Sequence, residues 1–471
     1  MTPTEIPAAS LLDLIAALRA RALSPVELVE HTLARIERTH AQINAVVALR
    51  DREQVMAEAR QAEARIGRGE GRPLEGVPLG VKDLEDVAGM VTSCGSKLYA
   101  DHVAARDEVH VERLRAAGAI VVGKTNTPEF GLSSITKNLL FGDSRNPWNV
   151  QRSPGGSSGG SAAALVGGVL PLVTASDGGG SIRIPASFSG AYGFKPSFGR
   201  VPMGPSPAFS TTLRACYGPL TKTVEDAAFV LDQYAGPSPH DPTSLPAVEH
   251  RYLDRVRKGA PDGLRLGLSL DMGGMPVESE VKAAVEEGAR VLQGLGHTLV
   301  PIAGGPPQAG DSWLQTAGFA VAASHGERAR GRESELAKWV AELMREGATM
   351  SPGAWEQSQR MRAEIRDFCT HVFEQCDLLI SPTTPYTAPP ARGPFPSEID
   401  GTPCSAGASG QFCMPFNYNW NPAASVRVGM SKAGLPIGMQ LAGPMHRDAL
   451  VLQVSRAFER ERPWHPDWPV C

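Results

Sequence analysis

Residues 153–197 read SPGGSSGGSAAALVGGVLPLVTASDGGGSIRIPASFSGAYGFKPS and carry two glycine-serine clusters separated by a small apolar segment. The first cluster surrounds Ser157 and Ser158 with glycines, and in the second the glycines at 178–180 lead directly into Ser181. Glycines allow backbone shapes that side chains forbid, and they let a ligand approach bare amide groups. A glycine run that ends in a serine suits a nucleophile whose neighbouring N–H groups converge on one point, as an oxyanion hole requires. We interpret this stretch as an active site.

The alternative interpretation of the same stretch is a flexible linker, because glycine-serine linkers are common. The segments AAALV at 162–166 and VLPLV at 169–173 lie between the two clusters. They are apolar enough to be buried, whereas a solvated linker would not contain them. The stretch is therefore predicted to be folded.

Composition restricts the class of protein. The chain has 471 residues, of which 42% are hydrophobic and 20% charged, and its formal net charge is −4. These values are ordinary for a globular protein and provide no general field for nucleic acid or an anionic membrane. The seven cysteines are scattered without a CxxC pair, so neither a disulfide framework nor a zinc site is indicated. The start lacks a signal-peptide pattern, and the longest apolar stretch, 161–175, is too short to span a bilayer.

We therefore expect a soluble, cytoplasmic protein with no nucleic-acid partner, no membrane partner and no metal. The glycine-rich segments also fail to match nucleotide-binding motifs. GGSSGGS at 155–161 has no P-loop lysine, and SDGGGSIRIP at 176–185 lacks the spacing of a dinucleotide-binding turn. No cofactor is expected.

Helix and strand patterns alternate along the chain. GVPLGVKD at 76–83 is typical of a short buried strand, and a helical pattern over 107–117 precedes a second strand at 119–122. Residues 264–302 show a strand, a long amphipathic helix and another strand, which predicts one β-α-β unit and an α/β fold. Further helices are predicted over residues 11–18, 24–40, 51–66, 223–234, 354–373 and 448–461, and further strands over 378–381, 424–428 and 435–441.

Lys82 lies near the end of the first of these strands. A surface lysine at a strand end is the ordinary interpretation, since lysine is almost never buried without a partner or a function. The other interpretation is an apolar strand that carries a lysine inward. Both remain open from the residues themselves.

Five separate segments agree, in order, with one known pattern: GVPLGVKD at 76–83, TNTPEFG at 125–131, RNPWN at 145–149, GGSIRIPAS at 179–187 and SPTTP at 381–385. In these segments the chain resembles the amidase signature enzymes, and the resemblance covers most of its length. It implies an α/β fold with a large mixed β-sheet flanked by helices on both faces. It also implies a single domain, 1–471, with an N-terminal helical segment (1–70), a catalytic core (71–235) and a remainder that carries variable substrate loops (236–471).

Matched residue by residue, the resemblance implies a Ser-cisSer-Lys triad. Ser181 would be the nucleophile, Ser157 the bridging serine after a cis peptide bond, and Lys82 the base. The implied activity is hydrolysis of a carboxylic amide C–N bond through a serine acyl-enzyme, with release of a carboxylate and an amine or ammonia. A lysine acts as a base only when its amine is neutral. With its reference pKa of about 10.4 the amine is charged at neutral pH, and burial lowers that pKa. We therefore expect Lys82 in a closed, mostly apolar site.

Further residues around the nucleophile are assigned supporting roles. Ser158 either hydrogen-bonds the triad or fills a tight turn. Asp177 and Arg183 flank the nucleophile with opposite charges and are expected to form an ion pair that shapes the loop, with a substrate contact as the alternative. The tetrahedral oxyanion is expected to be stabilised by the backbone N–H groups of Gly178, Gly179, Gly180 and Ser181.

The substrate is not determined by the sequence. ASDGGGS at 175–181 stands where many family members read GTDTGGS, and it is similar to the branch that includes 6-aminohexanoate cyclic dimer hydrolase. Pocket shape is expected to depend on the segments 126–148, 201–214 and 304–353. A small-molecule amide is the expected partner, and a homodimer is a candidate assembly.

Two other functions remain as alternatives. The first is the glutaminase subunit of a tRNA-dependent amidotransferase, which would have to recognise the α-carboxylate of glutamine. Arg362 is a candidate for that contact, and a structural arginine is the alternative. The second is a non-catalytic binding protein on the same fold, which retention of all three triad residues disfavours.

Overall fold

The computed structural model describes residues 1–205, 212–464, 468, 469 and 471. Its helices begin where the sequence offers caps. At Ser24, for example, the hydroxyl accepts the N–H of Glu27, and the Glu27 carboxylate accepts the N–H of Ser24 at 2.9 Å. The described residues form fifteen α-helices: α1 (Leu11–Arg19), α2 (Pro25–Ile43), α3 (Arg52–Gly67), α4 (Val109–Ala116), α5 (Gly159–Val166), α6 (Arg183–Ser189), α7 (Val224–Tyr234), α8 (Tyr252–Lys258), α9 (Ser279–Gly294), α10 (Gly310–Ala329), α11 (Lys338–Ala348), α12 (Pro352–Gln375), α13 (Ala408–Gln411), α14 (Met414–Tyr418) and α15 (Asp448–Glu461).

Short 3₁₀ helices occur at Lys97–Tyr99, Glu129–Gly131 and Glu333–Glu335. The strands of the described residues are β1 (Val46–Leu49), β2 (Pro78–Lys82), β3 (Ile120–Thr125), β4 (Lys137–Asn138), β5 (Gly142–Asp143), β6 (Leu172–Val173), β7 (Ser176–Asp177), β8 (Tyr192–Lys195), β9 (Cys216–Tyr217), β10 (Leu220–Thr221), β11 (Arg265–Leu268), β12 (Thr298–Pro301), β13 (Leu378–Pro382), β14 (Glu398–Ile399), β15 (Thr402–Pro403), β16 (Ala423–Met430) and β17 (Pro436–Ala442).

Most of these strands form two sheets. The larger sheet has seven strands in the order β10-β8-β16-β17-β13-β11-β12, and the smaller has four in the order β1-β3-β2-β6. In the larger sheet β11 is parallel to β12 and β13, whereas the other pairs are antiparallel. The predicted β-α-β unit is β11-α9-β12, and the predicted large mixed sheet is confirmed. Lys82 belongs to the smaller sheet, in which β2 is parallel to both β3 and β6.

Helices cover both faces of the larger sheet. A Cβ at Gly438 of β17 would meet the side chain of Ser187 in α6, and the neighbouring side chain of Met439 meets Gly288 in α9. Because successive residues of a strand point to opposite faces, α6 and α9 lie on opposite sides. This arrangement confirms the predicted α/β architecture.

The glycine-serine stretch is folded and buried inside this architecture. Its apolar centre forms α5 and β6, and every residue of α5 is buried. The second cluster follows β7 and leads into α6, which is also buried along its whole length. A flexible linker is therefore excluded.

Two of the three segments expected to shape the pocket are described in full. Residues 126–148 are mainly loop with the short strands β4 and β5, whereas residues 304–353 are mainly the helices α10 and α11. Part of the third segment, 206–211, lies outside the described residues. The helices α10 and α11 pack together over a small separate core that includes Val321, Val340 and Met344.

Candidate active site

Lys82 is the last residue of β2, and its side chain is fully buried. Its Nζ donates hydrogen bonds to Ser157 Oγ at 2.8 Å and to Ser176 Oγ at 2.9 Å. Burial disfavours the ammonium and lowers the pKa of Lys82 to about 8, although the Glu85 and Asp177 carboxylates act in the opposite direction. The surface-lysine interpretation is therefore excluded, because the strand carries this lysine into the interior.

The two serine clusters lie against each other. The peptide bond between Gly156 and Ser157 is cis. The N–H of Ser158 donates to the carbonyl oxygen of Ser181 at 3.3 Å. Gly156 and Ser181 line the same cavity, so the fold brings the first cluster, the second cluster and the lysine into one site.

Asp177 and Arg183 form a fully buried ion pair with Oδ1 and Nη2 2.9 Å apart. The Arg183 guanidinium also donates to Gln440 Oε1 at 2.8 Å and to Asn417 Oδ1 at 2.6 Å. Burial alone would raise the pKa of Asp177, but the Arg183 charge and its hydrogen bonds hold that pKa well below its ordinary value. The ion pair therefore ties the glycine loop to the strand β17 and the helix α14.

The ionised Asp177 carboxylate has a further partner inside the loop. Its Oδ1 accepts the N–H of Gly180 at 2.7 Å. That N–H is therefore directed at Asp177 and is not available to an oxyanion. Neither Asp177 nor Arg183 is among the described residues that line the cavity, and their hydrogen bonds are made within the protein.

Ser158 and Lys82 share a hydrogen-bonding partner, Ser176. Its hydroxyl donates to the carbonyl oxygen of Ser176 at 3.3 Å and accepts the N–H of Ser176 at 3.4 Å. Ser176 in turn accepts the hydrogen bond from Lys82. In the described part of the chain the hydroxyl thus contacts the backbone of Ser176 and no triad side chain, which matches the tight-turn interpretation.

Three residues of the site were not predicted. Ser176 stands beside the second cluster, so its position next to glycines was an available signal. Asn417 donates from Nδ2 to the carbonyl oxygen of Asp177 at 2.8 Å, and Trp313 donates from Nε1 to the carbonyl oxygen of Gly178 at 2.9 Å. Both lie more than a hundred residues away in the chain, and no local pattern indicates such contacts.

Arg362, the candidate for binding a glutamine carboxylate, has other partners. Its guanidinium donates to the carbonyl oxygens of Thr212 and Leu213, at 3.3 and 3.2 Å, and lies over the ring of Trp420. It is not among the described residues that line the cavity beside Ser181. These contacts match the alternative interpretation, a structural arginine.

A cavity of about 620 Å³ opens beside Ser181. In its described lining the charged side chains are Lys137, Lys338 and Arg392, and all three are exposed to solvent. The other large side chains around it are mostly apolar or aromatic: Leu132, Ile135, Leu139, Ile184, Trp313, Leu314, Trp339, Phe395 and Met414.

The comparison with known families agrees with this geometry. The Amidase family model matches residues 27–452, which is nearly the whole chain. The chain belongs to the amidase family. As a member of this family it is a hydrolase that acts on the C–N bond of carboxylic amides, as the sequence motifs predicted.

Relatives of this amidase match over their full lengths. The acylamidase of Rhodococcus erythropolis is 36% identical over 483 residues, an alignment that covers 100% of this chain and 99% of the relative. One of the subunits of the glutamyl-tRNA(Gln) amidotransferase of Cupriavidus necator is 35% identical, with 97% of each chain covered.

Solved structures of other amidases have the same fold. A bacterial aryl acylamidase of the amidase signature family superposes with a TM-score of 0.93 at 30% identity, over 98% of both chains. The 6-aminohexanoate cyclic dimer hydrolase superposes with a TM-score of 0.87 at 28% identity, over 98% of this chain and 99% of that one. The predicted similarity to that hydrolase is therefore confirmed.

Neither a metal site nor a membrane-spanning helix occurs among the described residues. No group of three or more histidine, cysteine, aspartate or glutamate side chains among them is arranged to hold a metal ion. None of the helices in the described ranges combines the length and the apolar character that a membrane crossing needs.

Proposed function

We propose that this amidase acts through an acyl-enzyme on Ser181, with Lys82 as the base and Ser157 as the proton relay. The observation that carries the proposal is the contact of the buried Lys82 Nζ with Ser157 Oγ at 2.8 Å, in the site where Ser181 lines the cavity. A serine hydroxyl needs a base to become a nucleophile. A lysine whose pKa is lowered to about 8 is partly neutral near neutral pH and can accept that proton.

The reaction would proceed in two halves. Ser181 Oγ attacks the amide carbon, its proton moves to Ser157 Oγ, and the Ser157 proton moves to Lys82 Nζ. When the C–N bond breaks, the leaving nitrogen takes a proton from Ser157, which is replaced from Lys82. Water then attacks the acyl-enzyme by the same route and releases the carboxylate.

The proposed oxyanion donors are the N–H groups of Gly179 and Ser181. Both residues line the cavity, and in the described part of the chain neither N–H donates to a protein acceptor. Gly178 is not in the lining, and the N–H of Gly180 is used by Asp177. Each well-placed donor contributes about 10²–10³ in rate.

The cavity favours amides with a bulky apolar or aryl group. Its walls are mostly apolar, and burial of apolar surface contributes about 25 cal/mol per Å². Similarity to an acylamidase and to an aryl acylamidase supports the same substrate class. Free glutamine fits less well, because its carboxylate would need a cation, and the charged side chains of the described lining, Lys137, Lys338 and Arg392, are all exposed to solvent, where ion pairs contribute little.

The experiment is amine or ammonia release from a panel of anilides, aliphatic amides, 6-aminohexanoate oligomers and glutamine. Ser181→Ala is expected to lower kcat for anilides by on the order of 10⁴-fold or more. Ser455→Ala removes a buried hydroxyl from α15 that is not part of the described cavity lining, and it serves as the matched control that keeps turnover. A fluorophosphonate probe should add to Ser181 in the wild type.

Two results would oppose the proposal. Undiminished turnover by Ser181→Ala would remove the acyl-enzyme assignment. Release from glutamine alone, and only after a partner protein is added, would support the amidotransferase alternative instead.

A cytoplasmic location and a homodimer are also proposed. The first is supported by the seven cysteines, all of which are free thiols. Cell fractionation tests the location, and light scattering of the purified protein tests the assembly. A periplasmic or secreted fraction, or a monomer at micromolar concentration, would contradict the respective proposal.

A further inference from the structure

Trp313, in the first turn of α10, connects the cavity wall to the backbone of the glycine loop. Its Nε1 donates to the carbonyl oxygen of Gly178 at 2.9 Å, and the residue also lines the cavity. A Cβ at Gly179 would lie 2.6 Å from the same Nε1 atom. The second glycine of the run is therefore needed for this contact, because any side chain there would displace the indole.

The indole ring is itself held in place by a buried cation. The guanidinium carbon of Arg214 lies 5.4 Å from the centroid of the Trp313 ring. Arg214 also donates to Thr316 Oγ1 and to the Tyr418 hydroxyl, each at 2.8 Å. Thr316 lies one turn further along α10. The indole ring is thus also contacted by a residue outside the glycine loop.

An anchor on the Gly178 carbonyl also sets the direction of a neighbouring donor. The carbonyl of Gly178 and the N–H of Gly179 belong to one peptide group, which is planar and trans. In such a group the C=O and N–H bonds point in opposite directions, so fixing one fixes the other. The N–H of Gly179 is one of the two donors that the proposed function assigns to the oxyanion.

We propose that Trp313 is a positioning residue for the oxyanion hole, which acts by holding the peptide group between Gly178 and Gly179. The inference rests on the proposed function. Since Trp313 contacts both the substrate space and the loop, an apolar substrate group that packs on its ring also stabilises the anchored peptide. Part of the binding energy of that substrate group then raises kcat instead of lowering KM.

The test removes the hydrogen bond while keeping the ring. β-(3-Benzothienyl)alanine incorporated at position 313 replaces the indole N–H with sulfur at nearly the same shape, and Trp313→Phe is the genetically simple variant. Both are expected to lower kcat for an anilide by about 10–100-fold with little change in KM, because a misplaced oxyanion donor acts on the transition state. Trp339→Phe shrinks another aromatic residue of the lining and is expected to change KM mainly.

A second readout separates positioning from folding. A trifluoromethyl ketone that mimics the anilide accepts Ser181 Oγ at its carbonyl carbon, and the carbonyl oxygen becomes an oxyanion in the hole. The corresponding alcohol binds in the cavity without forming an oxyanion. Loss of the N–H at position 313 is expected to weaken binding of the ketone by about 10–100-fold and to leave binding of the alcohol nearly unchanged.

The outcomes distinguish this inference from the proposed function. If the wild type forms no adduct with the ketone at Ser181, the acyl-enzyme proposal itself is contradicted. If the wild type forms the adduct and the benzothienyl variant keeps full kcat and full ketone affinity, only the role of Trp313 is overturned. Equal losses for the ketone and the alcohol would assign Trp313 to substrate binding alone and would also overturn it.

Discussion

At the scale of single residues, Lys82 shows how burial alone changes the chemistry of a side chain. Its ammonium group has no access to water, and this lowers its pKa to about 8. The nearby Glu85 and Asp177 carboxylates favour the charged form and limit the decrease. The site therefore holds a lysine that changes its charge in the range where the enzyme is expected to work.

The first prediction concerns the pH dependence of this group. A base must be unprotonated, so kcat/KM is expected to be low at acidic pH, to rise through about pH 8 and then to level off. Glu85→Gln removes a negative charge that favours the ammonium, so the rise should move to lower pH. The measurement is kcat/KM for one anilide between about pH 5 and 10, a range that brackets the midpoint expected near pH 8.

Lys222 provides a matched control for this prediction. It is also buried, its pKa is also lowered to about 8, and its Nζ donates to the carbonyl oxygens of Pro7 and Ala9, away from the cavity. In Lys222→Met, kcat/KM should rise at the same pH as in the wild type, even if the substitution lowers stability. If kcat/KM of Glu85→Gln rises at the same pH as that of the wild type, the titrating group is not Lys82.

At the scale of elements, the position of α6 depends on a close approach to β17. The helix begins at Arg183, two residues after Ser181, and a Cβ at Gly438 of β17 would lie 2.5 Å from Ser187 Oγ of that helix. Gly438 therefore allows close packing between the sheet and α6, the helix that follows the proposed nucleophile. Arg183, at the start of the same helix, adds its hydrogen bond to Gln440 of β17.

We predict that Gly438→Ala displaces α6 and lowers both stability and kcat. Overpacking of a tight contact costs about 1–3 kcal/mol, which urea unfolding followed by circular dichroism would measure. Gly429→Ala, in the neighbouring strand β16, is the control, because its Cβ would meet Ala284 Cβ at an ordinary 3.9 Å. Equal effects of the two substitutions would show that the approach of α6 to β17 is not the determining contact.

At the scale of the whole molecule, contacts link the two ends of the chain to its centre. Arg35 of α2 donates to the carbonyl oxygens of Gly167 and Cys471, at 2.7 and 2.5 Å. The N–H groups of Leu11 and Leu12 donate to the carboxylate of Asp226. One continuous apolar core includes residues from Ile6 to Trp468. These contacts support the proposal that residues 1–471 form a single domain.

A single domain predicts a single cooperative unfolding transition. Tryptophan fluorescence and far-UV circular dichroism should give the same urea midpoint, because both report loss of the same core. Arg35→Met removes the link between α2, Gly167 and Cys471 and should lower both midpoints together. Two separated transitions, or a shift of only one midpoint in the variant, would contradict the single-domain proposal.

Much of the site could be predicted because its chemistry is encoded in short segments. The strand that ends at Lys82 was recognisable from its apolar residues, and the glycine clusters marked Ser157 and Ser181. The opposite charges of Asp177 and Arg183, six residues apart across the glycine run, indicated a local pair, and the structure contains that pair. Local spacing and residue type were sufficient for these features.

The sequence by itself determined the family, the α/β class and the residues proposed for catalysis, because each depends on segments of a few residues whose order along the chain is visible. The tertiary structure decided the rest. The contacts of Trp313 with Gly178 and of Asn417 with Asp177 join residues more than a hundred positions apart. Periodicity shows that a helix has a buried face, but only the packing of α10 and α14 against the glycine loop determines which side chain meets which carbonyl.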